Sequence, residues 1–205
     1  VTRVQFVVFL SRAMKLTNSD KNLETNKVTF LDVTDNSFGK DEIYQLVEAG
    51  VINGYPDGTF RPNQSINRGQ AANLFMRALQ LEVSTTTHNF DDVTPNSPYF
   101  DAANATKAAG IFNGKNDGKT FGALDTLTRE QMASVLVRAF DLQPKDVQVN
   151  LTDLDQVSET HRKSVEILYQ NGITTGRANG EFDPHAPVTR VQFVVFLSRA
   201  MKLTN

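Results

Sequence analysis

The chain of 205 residues contains no cysteine, which excludes disulfide bridges, thiolate metal sites and cysteine nucleophiles. Its three histidines, His88, His161 and His185, lie far apart and match no metal-ligand spacing. No run of about 18 apolar residues is present, so the sequence predicts no membrane-spanning segment. The net charge of −2 argues against a nucleic-acid-binding or polybasic membrane-surface protein. We therefore expect no metal, no cofactor, no nucleic acid and no membrane among its ligands.

What is present is the composition of an ordinary globular protein, with 40% hydrophobic and 21% charged residues. The chain opens abruptly on an apolar-rich helical pattern, without a signal peptide. We interpret it as a piece of a longer protein, in which case the missing leader carries no information about location.

The main feature of the sequence is an internal repeat, which we place at residues 30–82, 90–143 and 151–205 and number repeats 1 to 3. Each repeat shows the same landmarks in the same order: an acidic turn, a glycine that ends a helical pattern, a turn glycine, a phenylalanine and an arginine. In repeats 1, 2 and 3 they are Asp32, Asp92 and Asp153; Gly50, Gly110 and Gly172; Gly58, Gly118 and Gly180; Phe60, Phe121 and Phe182; and Arg68, Arg129 and Arg190. Successive arginines are 61 positions apart both times, which indicates three copies of one structural unit.

Each repeat is predicted to form two helices separated by a glycine-rich turn. The first helix ends at the first landmark glycine, in the C′ position that favours this residue. In repeat 2 we expect Ser97 and Pro98 to be the N-cap and N1 residues of that helix. The Asp-Gly and Asn-Gly steps that follow predict tight turns or a short hairpin. The second helix opens at the arginine and has one apolar face.

A unit of about 55 residues cannot bury that apolar face alone, so the repeats must pack together. The connectors, residues 83–89 and 144–150, are short and polar, which favours one compact domain. We predict an all-α fold: three helix–turn–helix repeats bundled around a pseudo-threefold axis, with short turn or hairpin insertions. The landmark phenylalanines are expected in the core, and the landmark aspartates are expected to form caps or turns.

The start of each second helix combines a cap with a cation. Asn67, Thr128 and Thr189 are predicted N-caps, and Gln70, Gln131 and Gln192 at N3 complete a capping box. The arginine falls at N1, where a carboxylate would meet unpaired N–H groups, the helix dipole and a guanidinium group together. This pattern predicts an anion site; the alternatives are a solvated arginine or one paired with a landmark aspartate.

The sequence from residue 30 to residue 79, FLDVTDNSFGKDEIYQLVEAGVINGYPDGTFRPNQSINRGQAANLFMRAL, resembles an S-layer homology (SLH) repeat throughout, and so do the two repeats that follow. The family pattern is roughly F-x-D-V, A-G-I-I-x-G, a turn with F-x-P, and T-R-A-E at the start of a helix. The resemblance implies a three-pronged spindle whose inter-repeat grooves bind secondary cell-wall polysaccharide linked to peptidoglycan, often pyruvylated. It implies a secreted Gram-positive S-layer or surface protein that the module anchors to the cell wall, without enzymatic activity.

The ligand-binding residues that we predict for an anionic sugar follow from this resemblance. They are Arg68, Arg129 and Arg190; Gln70, Gln131 and Gln192; Tyr55, Lys115 and Arg177, which follow a mid-repeat glycine; and Phe38. Glutamine replaces the family's glutamate in all three T-R-A-E motifs, which removes a negative charge beside the anion. Phe38 takes the place of the family's tryptophan in repeat 1, but Pro98 stands there in repeat 2 and repeat 3 has no clear aromatic residue.

Residues 1–18 are identical to residues 188–205. We assign residues 1–29 to the second half of a further SLH repeat plus a linker; an artificial origin of the copy is the alternative. Its helix carries exposed apolar residues such as Phe6, Phe9 and Met14, so we expect it to dock on the bundle or on a neighbouring chain. Self-association through residues 1–18 is therefore predicted.

Three other functions compete with wall anchoring. An enzyme such as a glycosidase needs two carboxylates facing a cleft, and no acidic residue recurs here with a partner base or nucleophile. A calcium-dependent docking module needs alternating oxygen ligands and a late glutamate, which residues 113–118 and their equivalents lack. A protein–protein or lattice-forming module without glycan binding is the strongest alternative, because helical repeats make good interaction surfaces.

Overall fold

Each of the three repeats contains two helices in the part of the chain that the structure describes. The structure is a computed structural model that describes residues 28–83 and 90–203. Its helices are α1 (Lys40–Glu48), α2 (Arg68–Ala78), α3 (Phe100–Ala108), α4 (Arg129–Phe140), α5 (Glu159–Gln170) and α6 (Arg190–Leu203), with a 3-10 turn at Leu154–Gln156. Within the described ranges the only extended pairing consists of isolated β-bridges, so the predicted all-α fold is confirmed. The copy at residues 1–18, His88 and connector residues 84–89 lie outside these ranges.

The first helix of every repeat ends at its landmark glycine, as predicted. In repeat 1 the N–H of Gly50 donates to the carbonyl of Val47 and the N–H of Val51 to that of Leu46, both at 2.9 Å. Gly50 has a φ of 70°, a left-handed conformation that favours glycine. Gly110 and Gly172 end α3 and α5 with the same pair of hydrogen bonds. All three first helices are therefore closed by a Schellman motif.

The start of α3 was predicted wrongly. Ser97 and Pro98 precede the helix rather than open it, and Tyr99 is the N-cap. The carbonyl of Ser97 accepts from the N–H of Phe100, and its Oγ accepts from the N–H of Tyr99. Ser97 therefore stabilises a turn that leads into the helix two residues later than the Ser-Pro pattern predicts.

The predicted capping boxes are present at all three second helices. In repeat 1, Asn67 Oδ1 accepts from the N–H of Gln70 at 2.8 Å, and Gln70 Oε1 accepts from the N–H of Asn67 at 3.1 Å. Thr128 with Gln131, and Thr189 with Gln192, form the same reciprocal pair. Each glutamine thus accepts the N-cap N–H group, the hydrogen bond that a glutamate at N3 forms in a capping box.

Replacing Thr128 by alanine is expected to lower the free energy of unfolding by about 1 kcal/mol, because the N–H of Gln131 loses its acceptor. Urea unfolding followed by far-ultraviolet circular dichroism measures the change. Thr128→Ser keeps the hydroxyl and should remain close to the unsubstituted protein. An equal loss in both variants would contradict the capping assignment.

The repeats pack in a closed ring. The second helix of each repeat packs against the first helix of the next: α2 on α3, α4 on α5 and, closing the ring, α6 on α1. We call these contacts junctions 1/2, 2/3 and 3/1. Each helix pair buries the apolar faces that a single repeat would leave exposed, so the three repeats form one bundle.

A cycle of backbone hydrogen bonds surrounds the pseudo-threefold axis. The N–H of Ile66 donates to the carbonyl of Val188 at 2.9 Å, that of Val188 to Leu127 at 2.9 Å, and that of Leu127 to Ile66 at 3.2 Å. All three side chains are fully buried. Each residue lies two positions before the arginine of its repeat, so the cycle brings the three second-helix starts around one axis.

The landmark phenylalanines and aspartates hold the turn of each repeat. Phe60, Phe121 and Phe182 are fully buried, which confirms that they belong to the core. The carboxylate of Asp32 accepts from the N–H groups of Phe60 and Arg61, both at 2.7 Å. Asp92 and Asp153 accept from the equivalent N–H groups in repeats 2 and 3. The prediction that these aspartates form turns is confirmed.

Candidate functional site

Each landmark arginine reaches across a junction into the next repeat. Arg68 Nε donates to the carbonyl of Phe121 at 2.8 Å. Arg129 Nε donates to the carbonyl of Phe182 at 2.5 Å, and Arg190 Nε to that of Phe60 at 2.9 Å. The acceptor is the landmark phenylalanine in every case, so the three bonds form a second cycle around the ring.

The guanidinium groups are buried against aromatic rings. The exposed fractions of Arg68, Arg129 and Arg190 are 6%, 3% and 7%. Arg129 Cζ lies 4.7 Å from the centroid of the Phe182 ring and 5.4 Å from that of Phe196. Burial lowers the pKa of Arg129 to about 10 and also lowers the pKa of the other two arginines. These distances permit cation–π attraction, and the arginines form the floor of each junction.

The backbone N–H groups at the starts of the second helices donate to loop carbonyls of the next repeat, so the prediction that they are unpaired was wrong. The N–H of Arg68 donates to the carbonyl of Asp125 at 3.0 Å, and the N–H of Gly69 to that of Ala123 at 2.8 Å. The N1 and N2 amides of α4 and α6 donate in the same way to loops of repeats 3 and 1. Because the loop of the next repeat covers each helix start, a carboxylate cannot meet unpaired amides there.

The N3 glutamines Gln70, Gln131 and Gln192 are partly exposed beside the buried arginines. Their Oε1 atoms accept the N-cap N–H groups. The Nε2 amide is then the group that each glutamine can offer to a ligand, since a side-chain amide carries its donors on nitrogen.

At junction 3/1 the predicted residue Tyr55 lies beside two guanidinium groups. Arg61 Cζ is 3.9 Å from the ring centroid and Arg190 Cζ is 4.9 Å from it. The Tyr55 hydroxyl donates to Gln64 Oε1 at 3.2 Å. Arg61 Nη2 lies 2.8 Å from Asp57 Oδ2. Hydrogen bonds from Thr59 and Arg61 lower the pKa of Asp57 to about 2, so this carboxylate stays ionised. An aromatic ring with two cations beside it thus forms the rim of this junction.

The equivalent residues at the other junctions are cations that pair with carboxylates. Lys115 Nζ lies 2.5 Å from Asp125 Oδ2 at junction 1/2, and Arg177 Nη2 lies 2.5 Å from Asp183 Oδ2 at junction 2/3. Both cations are nearly half-exposed. Each junction therefore has a buried arginine below and a more exposed cation above, but only junction 3/1 adds an aromatic ring at the position of Tyr55.

Arg61 was missed by the sequence analysis. It follows the landmark phenylalanine and has a φ of 58°, while Gly122 and Asp183 have φ values of 67° and 58° at the same place. Glycine and aspartate tolerate this left-handed conformation better than arginine does. The glycine and aspartate at the aligned position were the available signal that Arg61 adopts this conformation too. In the structure its guanidinium group lies over the Tyr55 ring.

Phe38 lies at the edge of junction 3/1 and is 63% exposed. It precedes Gly39, the N-cap of α1, where a Cβ would lie 2.6 Å from Val191 Cγ2 of α6. The predicted Phe38 and Tyr55 are thus both on the repeat 1 side of the start of α6.

Junction 2/3 differs from the others because it contains a buried carboxylate. Glu130, at N2 of α4, is 6% exposed. Its Oε2 accepts from the N–H of Ser158 and its Oε1 from the Ser158 hydroxyl, both at 2.9 Å. His185 Nδ1 lies 3.5 Å from Glu130 Oε1, and His161 Nδ1 lies 2.8 Å from Ser134 Oγ. Both histidines of the described ranges therefore lie at this junction, each beside a residue of α4.

Lowering the pH below about 6.5 is expected to destabilise the domain partly through His161. Burial lowers the pKa of His161, against an opposite effect of Glu130. The unfolded chain therefore takes up the proton first, and stability present above pH 6.5 is lost as the pH falls toward the folded-state pKa. The melting temperature between pH 7.5 and pH 5 should fall less in His161→Phe than in the unsubstituted protein. Parallel curves would contradict this role.

A cleft of about 690 Å³ on α1 contains none of the predicted ligand residues. Its lining includes the acidic residues Asp35, Asp41 and Glu48 and one cation, Lys40. Carboxylates repel an anionic ligand, so this cleft suits an acidic sugar less well than the junctions do.

Within residues 28–83 and 90–203, no group of three or more histidine or acidic residues is arranged to hold a metal ion. No helix in that part of the chain has both the length and the apolar character to cross a membrane.

Comparison with known families supports the repeat assignment. A family described as the S-layer homology domain matches residues 29–72, 89–133 and 150–194, which together are more than half of the chain. The chain belongs to the S-layer homology domain family. Each SLH match begins one residue before a predicted repeat and ends inside its second helix, about ten residues before the predicted end of the repeat. Residues 1–28 precede the first match.

Relatives of the SLH chain include surface proteins and enzymes. It is 37% identical over 80% of its length to the surface-layer 125 kDa protein of Lysinibacillus sphaericus, of which it covers 14%. It is 32% identical over 83% of its length to an S-layer protein of Bacillus licheniformis, of which it covers 19%. An endoglucanase of Bacillus sp. (strain KSM-635) is 32% identical over 93% of the chain, which covers 20% of that protein. Family membership and the surface-layer relatives support a cell-surface anchoring role.

Proposed function

We propose that this SLH domain holds a cell-surface protein at a Gram-positive cell wall by binding an anionic secondary cell-wall polysaccharide at its junctions. Pyruvylated sugars supply carboxylates of the required kind. The domain itself carries out no reaction. The observation that carries the proposal is the layered cation pair at each junction: a buried arginine below and a more exposed cation, Arg61, Lys115 or Arg177, above.

The two layers have different roles in the proposal. Arg68, Arg129 and Arg190 are too buried to form most of the ligand contact, and they add positive charge from below. The upper cations can donate hydrogen bonds to a sugar carboxylate, and charge-assisted bonds of this kind contribute about 1.5–3 kcal/mol each. Gln70, Gln131 and Gln192 add neutral Nε2 donors where a glutamate would add negative charge.

Junction 3/1 is the strongest binding groove in this proposal. Tyr55 offers a ring face, and the Arg61 guanidinium uses Nη2 for Asp57 and Nε for Thr59, which leaves Nη1 for a ligand. Phe38 adds an exposed aromatic ring on the same side of the start of α6. Junction 2/3 is the weakest, because Glu130 places a buried carboxylate next to Arg129.

Arg61→Ala and Tyr55→Ala are each expected to weaken binding to purified peptidoglycan sacculi by about tenfold, the equivalent of 1.4 kcal/mol. Sedimentation of the protein with sacculi measures the apparent Kd. Lys163→Ala, which removes an exposed cation from α5 away from these contacts, is the matched control and should bind normally. Lys115→Ala and Arg177→Ala should have smaller effects than Arg61→Ala.

The same assay separates glycan binding from the protein-interaction alternative. Hydrofluoric acid removes the secondary polymer from sacculi, and binding should be lost with it. Binding that survives this treatment, or that falls equally in Lys163→Ala and Arg61→Ala, would contradict the proposal. Capture of a protein partner with no binding to untreated sacculi would favour a lattice-forming module.

A further inference from the structure

The sequence contains four Asn-Gly steps, and one of them lies at junction 3/1. The steps are Asn53–Gly54, Asn113–Gly114, Asn171–Gly172 and Asn179–Gly180. In this dipeptide the asparagine side chain can react with the next backbone nitrogen, because glycine has no side chain to hinder the approach. We propose that Asn53 is a site of spontaneous deamidation, which adds a carboxylate beside Arg190 and weakens the binding of an anionic sugar at junction 3/1.

The reaction needs only the chain and water. The backbone nitrogen of Gly54 attacks Cγ of Asn53 and forms a C–N bond, while the proton of the Gly54 N–H ends on the side-chain nitrogen, which leaves as ammonia. Water then opens the five-membered imide. Attack of water at Cγ gives aspartate, and attack at the backbone carbonyl carbon gives isoaspartate, in which that carbonyl becomes a free carboxylate. Both products carry a negative charge that asparagine lacks.

Both reacting groups of the Asn53–Gly54 step are accessible to each other. Asn53 is exposed. Within residues 28–83 and 90–203, neither its carboxamide nor the N–H of Gly54 is engaged in a hydrogen bond. The same holds for Asn113 and Gly114, which occupy the aligned position in repeat 2. The side chains of Asn53 and Asn113 are therefore free to rotate toward the next backbone nitrogen.

The Asn171–Gly172 step is held in place by contrast. Asn171 Nδ2 donates to the carbonyls of Gln143 and Ile167, at 2.9 and 2.8 Å. The N–H of Gly172 donates to the carbonyl of Tyr169 at 2.9 Å, as part of the Schellman motif. Reaction at this step would require both sets of hydrogen bonds to break first.

The Asn179–Gly180 step is also restrained, although Asn179 is exposed. Its Oδ1 accepts from the N–H of Glu181 at 3.1 Å, and its Nδ2 donates to the Glu181 carboxylate. The N–H of Gly180 donates to the carbonyl of Arg177 at 2.9 Å. Exposure alone therefore does not distinguish the four steps, whereas the hydrogen bonds of the two reacting groups do.

Packing requires the glycine of the reactive step. A Cβ on Gly54 would lie 2.2 Å from Phe30 Cε1 and 2.9 Å from the carbonyl oxygen of Thr59, so no larger residue fits there. Repeat 3 has Thr175 and Gly176 at the aligned positions. The fold thus needs the glycine but accepts threonine before it, which makes threonine a suitable replacement for Asn53.

The product would change the surroundings of the buried arginine at junction 3/1. The backbone carbonyl of Asn53 accepts from Arg190 Nη2 at 3.1 Å, and in isoaspartate this carbonyl becomes a carboxylate. A carboxylate at this place pairs with Arg190 and repels an anionic ligand. At Asn113 the carbonyl accepts from Lys107 Nζ at 2.7 Å instead of from a landmark arginine. The effect on binding rests on the proposed function, whereas the modification itself does not.

Peptide mapping by mass spectrometry tests the modification in the full chain. After incubation at mildly alkaline pH, Asn53 and Asn113 are expected to deamidate faster than Asn171 and Asn179, and isoaspartyl methyltransferase should label the isoaspartate that forms. In urea, where the hydrogen bonds are lost, the four steps should react at similar rates. Deamidation of Asn53 in the folded protein no faster than that of Asn171 and Asn179 would overturn the proposal.

Sedimentation with peptidoglycan sacculi tests the effect on binding. The incubated protein is expected to bind about fivefold more weakly than fresh protein, the size of effect that one added charge has at a partly exposed site. Asn53→Thr should keep its fresh affinity through the same incubation, and the matched variant Asn113→Thr should lose affinity as the unsubstituted protein does. An equal loss in Asn53→Thr, or unchanged binding of protein deamidated at Asn53, would overturn the proposal. Fresh protein that does not bind sacculi would contradict the wall-binding proposal instead, and the peptide map would still decide whether Asn53 is modified.

Discussion

Arg129→Ala is expected to lower the free energy of unfolding by about 4 kcal/mol, because it removes a buried hydrogen bond and two cation–π contacts together. The substitution removes the hydrogen bond from Nε to the Phe182 carbonyl and the contacts with the Phe182 and Phe196 rings. A charge-assisted bond contributes about 1.5–3 kcal/mol, and a desolvated cation–π contact about 2. The buried carbonyl of Phe182 would also lose its Arg129 donor.

Two further variants show whether the loss comes from the buried arginine. Arg129→Lys keeps a charge but not the planar group that lies over both rings, so an intermediate loss is expected. Arg177→Ala removes the more exposed cation of the same junction and should cost less than about 1 kcal/mol, because exposed ion pairs contribute little. Urea unfolding measures all three. A loss in Arg129→Ala no larger than in Arg177→Ala would show that the bonds from the buried arginines to the phenylalanine carbonyls do not stabilise the packing of the three repeats.

The contrast between Arg129 and Arg177 also separates stability from binding. If the buried arginine is the floor and the exposed cation the rim, Arg177→Ala weakens binding to sacculi with little change in stability. Arg129→Ala changes stability first and affects binding through the fold. The family resemblance predicts the arginines as ligand residues, and this stays a prediction; their burial in the structure gives them a role in assembly.

The local features of the fold were predictable because they depend on neighbouring residues. Capping boxes join residues three apart, and the Schellman glycines lie within a few residues of their partners, so the sequence alone contains both patterns. The error at Ser97 and Pro98 has a local cause too, since Ser97 stabilises a turn instead of the helix start. Such errors move an element boundary without changing the fold.

The surroundings of the arginines were not predictable in the same way. Arg68 and Phe121 are 53 residues apart, and Arg190 and Phe60 are 130 residues apart. A sequence without a structure cannot show that the loop of the next repeat covers each helix start and takes up its N1 and N2 amides. The predicted position of the arginines was correct, while the predicted free amides were not.

The two described histidines illustrate the same limit. His161 and His185 are 24 residues apart, and their spacing suggests no shared site. Both lie at junction 2/3, where they face α4: His185 Nδ1 is 3.5 Å from Glu130 Oε1, and His161 Nδ1 is 2.8 Å from Ser134 Oγ. The sequence does contain a difference between the three second helices. At N2, the same aligned position, they carry Gly69, Glu130 and Val191. This difference becomes informative only when the opposing residues Tyr99, His161 and Gly39 are known.

Exchanging one junction for another gives the second large effect. Glu130→Gly combined with His161→Tyr would place the Gly69–Tyr99 pair of junction 1/2 into junction 2/3. We expect Glu130→Gly alone to cost about 3 kcal/mol, because Ser158 loses the acceptor for its N–H and its hydroxyl. His161→Tyr alone should cost about 2 kcal/mol, because a larger ring must fit beside the Glu130 side chain.

The double variant should be more stable than the sum of the two single losses predicts. With Glu130 absent, the tyrosine ring can fill the vacated space as Tyr99 does over Gly69, where a Cβ would lie 2.5 Å from the ring. We expect a coupling energy of about 2 kcal/mol, within the range for residues in contact. Urea unfolding of the four proteins gives this value. Additive losses would mean that the size of the residue at N2 of α4 is not matched to the side chain at position 161.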